Sequence, residues 1–303
     1  VSLTPVVELA ETQAQAVISP AAADRPERGR LELLITERNG KSIASRQFHQ
    51  GALRVLRPHY LDESGQVCYV MVNPGGAYLG ADLFTVEVEV GAGAKLLLTT
   101  QSATKIYRTP GSFAEQRMTL RLGEQAQLEL SPDQLIAYRE ACYRQNTHIM
   151  LRPSSSLVMA EVITPGWSPD GASFRYEELR LRNEIWVEGQ DGAQLLVLDN
   201  LLIRPPLGDV TGMGFMEGFS HLGSLMVVDA RVDQSLADEL HALTAGYDAY
   251  TGVSLTAKTS GTMGLILRSL SNSTGELNQL LGACTGLLRN RWYGQAPLNL
   301  RKY

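Results

Sequence analysis

Phe84-Thr85-Val86-Glu87-Val88-Glu89-Val90 alternates apolar and polar side chains without a break. Successive side chains of a strand point to opposite faces. The stretch therefore reads as a strand with Phe84, Val86, Val88 and Val90 on a core and Thr85, Glu87 and Glu89 in water. Downstream, Arg117-Met118-Thr119-Leu120-Arg121-Leu122 and Gln127-Leu128-Glu129-Leu130 repeat that alternation. Residues 67–72 and 157–163 are more continuously apolar, as strands buried on both faces are.

A weak echo links these runs. Val90-Gly91 leads through Ala94 to Leu96, Leu122-Gly123 through Ala126 to Leu128, and Gly192-Ala193 runs into Leu195 and Leu196. Each reads as strand, turn, strand, which suits a sheet that winds back over itself, either a sandwich or a short coil of β-layers. Two later segments change period. Residues 232–247 place Leu236, Leu240 and Leu243 on one face, and residues 274–290 do the same with Leu277, Leu280, Leu281, Cys284 and Leu288 after a Ser/Thr-rich start. Both are expected to be helices. Residues 252–269 between them return to strand-like sequence, which ties the helices to the same domain.

The expected fold is mainly β: one large domain over residues 29–303, of layered or coiled sheets (sandwich or solenoid-like), with about two helices in its C-terminal half. Residues 1–28, rich in Ala, Gln and Pro, read as a flexible tail that orders only against a partner through Val6, Val7 and Leu9.

Bulk properties exclude several classes. Lys and Arg number 27 against 32 Asp and Glu, and the basic residues are dispersed, so nucleic acid is not an expected partner. Cys68, Cys142 and Cys284 are odd in number and lack CxxC spacing, which argues against a disulfide framework and fits a reducing cytoplasm. No secretory signal pattern opens the sequence, and no apolar run approaches the roughly 20 residues needed to cross a bilayer. Neither a membrane nor secretion is expected.

Few constellations carry chemistry. Ser102-Ala103-Thr104-Lys105 matches S-x-x-K, and Lys258-Thr259-Ser260-Gly261 faintly echoes K-T-G. That chemistry needs the Ser at a helix start with the Lys one turn on, whereas Ser102 follows a strand-like run. A hydrolase using Ser102 and Lys105 is the competing reading. Gly91-Ala92-Gly93-Ala94-Lys95 is too short for a phosphate loop, and Asn73-Pro74-Gly75-Gly76 reads as a tight turn. His49, His59, His148, His221 and His241 are scattered, so no tight metal site is expected, although a transient path of carboxylates and carbonyls would leave little trace. The stretch Gly212 through His221 joins glycines to Met213, Phe215 and Met216, a composition suited equally to an adaptable contact surface and to core.

Specific strings say more. Gly51-Ala52-Leu53-Arg54-Val55-Leu56-Arg57-Pro58 resembles the G-P-L-R-V-Q-R-P segment of the UreD (UreH) family of urease accessory proteins. Asn73-Pro74-Gly75-Gly76-Ala77-Tyr78-Leu79-Gly80-Ala81-Asp82 resembles its P-P-G-G-x-x-x-G-D segment, and Thr99-Thr100-Gln101-Ser102-Ala103-Thr104-Lys105-Ile106-Tyr107-Arg108 its T-T-P-G-A-T-K-x-Y-R segment. The likeness continues through Leu128-Glu129, Ser131-Pro132-Asp133-Gln134, Ala160-Glu161 and Arg182-Asn183-Glu184-Ile185, with Asp133-Gln134 where the family has Gln-Glu and Ala160 where Trp is common.

The resemblance implies a non-enzymatic scaffold. Such a protein docks on apo-urease subunits and directly on the helical accessory protein UreF, through which the GTPase UreG acts, and nickel passes through its interior. No cofactor is implied to be tightly bound; nickel is transient cargo. On this basis Glu129, Asp133, Glu161 and Glu184 are candidates for the metal route, the alternative being outward carboxylates paired with Arg175, Arg180 or Arg182. Thr104, Lys105, Tyr107 and Arg108 are candidate partner contacts, as are Met213, Phe215 and Met216, while Trp292 and Tyr293 are expected to meet UreF. A stand-alone nickel carrier is a further alternative.

Overall fold

The computed structural model describes residues 27–300. Its elements are β1 (Glu27–Arg38), β2 (Lys41–Gly51), β3 (Arg54–Val55), β4 (Val67–Val72), β5 (Leu83–Val90), β6 (Lys95–Thr100), β7 (Thr104–Ile106), β8 (Ala114–Leu122), β9 (Gln127–Ser131) and β10 (Leu135–Ala137). They continue as β11 (Cys142–Leu151), β12 (Ser156–Ile163), β13 (Glu178–Gly189), β14 (Gly192–Ile203), β15 (His221–Asp229), α1 (Gln234–Thr244), β16 (Tyr250–Leu255), β17 (Met263–Ser271) and α2 (Thr274–Tyr293). The expected tail, with Val6, Val7 and Leu9, lies outside the described residues except for Glu27 and Arg28, which belong to β1.

From β4 to β13 the chain crosses repeatedly between two sheets, and strands that become neighbours within a sheet run parallel. One sheet has the order β14-β13-β11-β8-β5-β1-β2; the other runs β16-β17-β15-β12-β9-β6-β4-β3, with β7 and β10 beside it. This is the coiled arrangement of stacked β-layers. Turns at one end stack on one another through Gly123 N to Val90 O at 2.8 Å and Gln127 N to Ala94 O at 2.9 Å. A Cβ on Gly123 would meet Ala92 N at 2.9 Å, so the tight stack requires glycine there.

Two of the three sequence echoes are these turns. The third is not: Gly192 begins the return strand of the antiparallel β13–β14 hairpin. The true third turn is Arg152-Pro153-Ser154-Ser155, whose Ser155 takes the buried place of Ala94 and Ala126 and donates its hydroxyl to Arg152 O at 2.7 Å. A polar residue with an internal partner hides the repeat from a hydrophobicity pattern.

The first sheet buries one face, so β5 alternates as read: Val86, Val88 and Val90 are buried, while Thr85, Glu87 and Glu89 are not. The second sheet is covered on both faces, which explains its continuous apolar runs. Its outer face (Val158, Ala160, Val162, Leu225, Val227, Leu265, Leu267) packs on Leu236 and Leu240 of α1 and Leu277, Leu280, Leu281, Cys284 and Leu288 of α2. Each fully buried leucine here is worth about 1.5–3 kcal/mol over an exposed one. Asp233 caps α1 by accepting from Leu236 N at 2.8 Å, so this helix starts two residues later than its hydrophobic pattern suggests. Ser273 caps α2, and Gly294 ends it at φ +62°.

Candidate functional site

Register sorts the space between the sheets into layers. Moving away from the stacked turns, the first sheet contributes the row Val88, Leu120, Ile149 and Ile185, then the row Val86, Met118, Thr147, Asn183 and Asp199. The facing sheet contributes Leu98, Leu130, Met159 and Met226, then Glu161, Ser224 and Arg268. Apolar layers thus give way to a polar one inside the molecule.

That layer holds Glu161. Gln145 Nε2 donates to its Oε1 at 2.6 Å, and Asn183 Nδ2 reaches its Oε2 at 3.4 Å. Burial pushes the Glu161 carboxyl above the ordinary carboxylate range, and Asp199 adds to the rise; the bonds from Gln145 and Asn183 and the positive charge of Arg268 work against it. Around it, Thr147 Oγ1, Asn183 Oδ1 and Ser224 Oγ are buried without a hydrogen-bond partner. Each such atom costs about 1–3 kcal/mol unless something polar meets it. Their clustering about one carboxylate makes this a pocket for a polar guest.

The pocket opens to a cavity of about 100 Å³ lined by Gln116, Gln145, Thr147 and Glu161 within and by Asn73, Ser102, Lys105 and Asp133 toward its mouth. That is room for several waters at about 30 Å³ each in the liquid. The mouth is built by three strings distant in sequence. Asn73 shapes the first turn by accepting from Gly75 N at 3.0 Å, and Gly76 takes φ +77°, so this stretch is the tight turn it was read to be. Thr100 Oγ1 accepts from Asp133 N at 2.8 Å, pinning the third string to the second. Tyr78 stacks on Phe84 at 4.1 Å and bonds Gln116 at 2.6 Å, closing the wall.

Of the four carboxylates read as route candidates, Asp133 and Glu161 line this cavity and Glu129 and Glu184 lie outside it. Glu129 faces the other side of its sheet, beneath α2, where it pairs with Arg289 and accepts from Gln66 Nε2 at 2.8 Å. Glu184 lies on the outer face of the first sheet, paired with Arg182, bonded by Trp186 Nε1 at 3.3 Å and close to His148. These contacts hold its carboxyl below its usual range despite partial burial. Strand alternation separates them: Glu161 follows Leu157 and Met159 on the inward parity, whereas Glu129 falls on the outward one.

Ser102 sits in a bend between β6 and β7, with no helix to bring Lys105 one turn on. Thr104 and Lys105, both in β7, form part of the rim. Tyr107 is 40% exposed and begins an aromatic row with Tyr138 (4.7 Å) and Trp167 (4.9 Å further). Arg108 makes an exposed ion pair with Glu140 at 2.8 Å. The Met-Phe stretch divides: Met213 and Phe215 are 91% and 74% exposed, whereas Met216 is core. Trp292 and Tyr293 are engaged internally, for the Arg231 guanidinium lies 4.5 and 4.7 Å from their ring centres and bonds Tyr293 Oη at 2.7 Å.

Gln145, Thr147, Asn183, Asp199, Ser224 and Arg268 escaped the sequence reading. A signal for some of them existed: Asn183 interrupts the inward series Leu179, Leu181, Ile185, Val187, as Glu161 interrupts Leu157, Met159, Ile163. Among the described residues no three His, Cys, Asp or Glu side chains converge as a metal cluster. The Cys142 and Cys284 thiols are pushed by burial to about 11 and about 12, so both are protonated at neutral pH. A cation here would meet oxygen ligands, which exchange more readily than thiolates. No helix of the described residues is long and apolar enough to cross a membrane.

A model of the UreD urease accessory protein family matches residues 27–302. The urease accessory protein UreD of Arthrobacter sp. is 76% identical over 299 residues, covering 99% of this chain and 98% of that protein. Its namesake in Corynebacterium glutamicum is 49% identical over 279 residues, covering 91% and 98%. The one in Bacillus cereus is 32% identical over 275 residues, again covering 91% and 98%.

Proposed function

This chain belongs to the UreD family of urease accessory proteins and so takes part in urease maturation, and from that premise we propose that it is a cytoplasmic, non-catalytic scaffold carrying nickel through its interior. In this reading it binds apo-urease subunits and UreF directly and meets UreG through UreF; nickel is cargo held in passing, and no cofactor stays bound. The observation that carries the reading is the polar layer: a carboxylate at the inner end of a cavity whose mouth is made of the family's own strings, with the unpartnered buried oxygens of Thr147, Asn183 and Ser224 in the same layer. Such a group is costly to a fold and useful to a cation. Asp133 at the mouth and Glu161 within are the carboxylates of the route; Glu129 and Glu184 serve structure.

Partner binding has its own support. Leu198 and Leu202 on the edge strand β14, with Leu207, Met213 and Phe215 beyond it, form a run of exposed large apolar side chains. Soluble surfaces rarely leave such runs uncovered. The bend at Ser102 and the lack of a helix there support the non-catalytic half of the reading.

The test is co-expression of urease structural subunits and UreF with the wild-type chain or with Glu161→Gln, Asp133→Asn, Glu129→Gln or Glu184→Gln. The first two should lower the nickel content of urease while the complex still assembles, and the last two should not where the protein is folded. Normal nickel loading with Glu161→Gln in an intact complex would sink the route.

A further inference from the structure

The polar layer does not end at Glu161. Asn183 Nδ2 stands between two carboxylates, 3.4 Å from Glu161 Oε2 and 3.2 Å from Asp199 Oδ2, and Asp199 is in turn paired with Arg268. Asp199 lies on β14, the outermost strand of its sheet, and Arg268 on β17, next to the outermost strand of the other. Their side chains are 20% and 31% exposed. The row of polar side chains thus continues past Glu161, where the cavity lining ends, to the far strand edges, where a partly solvent-exposed ion pair stands.

Register sets Ser224 directly opposite both Glu161 and Arg268, so the guanidinium shares one row with the carboxylate and with an unpartnered hydroxyl. Charge then couples the two ends. Two carboxylates against one guanidinium leave a single negative charge; a divalent cation among them reverses the sign and sets the cation against Arg268. At a few ångströms, in a partly buried site, that repulsion is comparable to the attraction holding Arg268 on Asp199. The Arg268 side chain has water to move into.

We propose that Arg268 is a displaceable latch. It closes the far end of the passage by holding Asp199, and it is released when a divalent cation settles among Glu161, Asp199 and the free oxygens of Thr147, Asn183 and Ser224. The inference rests on the passage proposed above and adds its regulation: the far end opens only when loaded. Arginine suits the role because its charge is independent of pH, so only a competing cation or a partner's carboxylate frees it.

The experiment is arginine-selective modification of the full chain with phenylglyoxal, with and without a nickel salt, Arg268 being followed by mass spectrometry. In the wild type, nickel should raise the Arg268 modification rate by about tenfold or more, the factor for losing a charge-assisted hydrogen bond. Glu161→Gln should abolish the nickel effect. Asp199→Asn should leave Arg268 reactive with or without nickel, and continued protection there would mean that Asp199 is not what holds it. An Arg268 rate indifferent to nickel, while Glu161→Gln still lowers nickel loading of urease, would overturn the latch and leave the passage standing. Normal loading with Glu161→Gln would overturn both. The wild-type comparison needs no variant to fold.

Discussion

Replacing Arg289 by Met removes a cation from the seam between α2 and the second sheet while keeping most of its side-chain volume. Arg289 is 3% exposed and pairs with Glu129, with Asp62 Oδ2 at 2.8 Å and with Gln66 Oε1 at 3.0 Å. Without it, Glu129, only 11% exposed, keeps a single donor in Gln66. Stranding one partner of a buried pair costs about 3–5 kcal/mol. Asp62 is 31% exposed and can rehydrate, which places the loss near the lower end, about 3 kcal/mol. For a chain of 303 residues that is a drop in Tm of roughly 5 °C. Urea titration and thermal melting of the full chain, followed by tryptophan fluorescence, would measure it. Adding Glu129→Gln should recover most of the loss, because no unpaired charge then remains buried. A single variant within about 0.5 kcal/mol of wild type, or a double variant no more stable than the single, would refute the assignment of Glu129 to structure.

Glu161 should behave in the opposite sense. Its carboxyl titrates above its ordinary 4.5 in the folded chain, so between the unfolded and folded values the native state binds more protons and stability falls as pH rises through that window. Glu161→Gln should therefore match or exceed the wild type in Tm at neutral pH, with the difference shrinking below about pH 4, as melts across pH would show. Nickel loading through an active Glu161 requires the carboxylate, so loading should fall as pH drops through the raised value in the wild type, measured by urease nickel content against pH. Phe215→Ser with Met213→Ser should weaken co-purification with urease subunits or UreF and move Tm by less than about 2 °C, since neither side chain is core. Arg231→Met, by contrast, should lower stability by about 2–3 kcal/mol in urea titration, because it unstacks Trp292 and Tyr293 and strands Asp229, which is 5% exposed.

Period and turn chemistry carried the mainly β class, the strands β4, β5, β8, β9 and β12, and both helices, because alternation and 3.6-residue spacing act over a few neighbouring residues. β5 is the plainest case: which of its side chains meet the core follows from Phe84 to Val90 alone. Family strings did the same for the urease connection and marked the loops that form the cavity mouth. The inner polar layer was only half visible. Glu161 and Asn183 break their own inward series, yet nothing local says that Thr147, Ser224, Asp199 and Arg268 share their row, since that row is assembled from strands up to 121 residues apart (Thr147 to Arg268). Nor does an acidic residue on a strand declare which face it occupies: Glu129 and Glu161 look alike in sequence, and one-residue parity within paired sheets sends the first beneath α2 and the second between the sheets. Local chemistry by itself determined that this protein is mainly β with two helices in its C-terminal half, and left sandwich and coil both open. Only the register of parallel strands, a long-range property, decided which of its carboxylates face the interior.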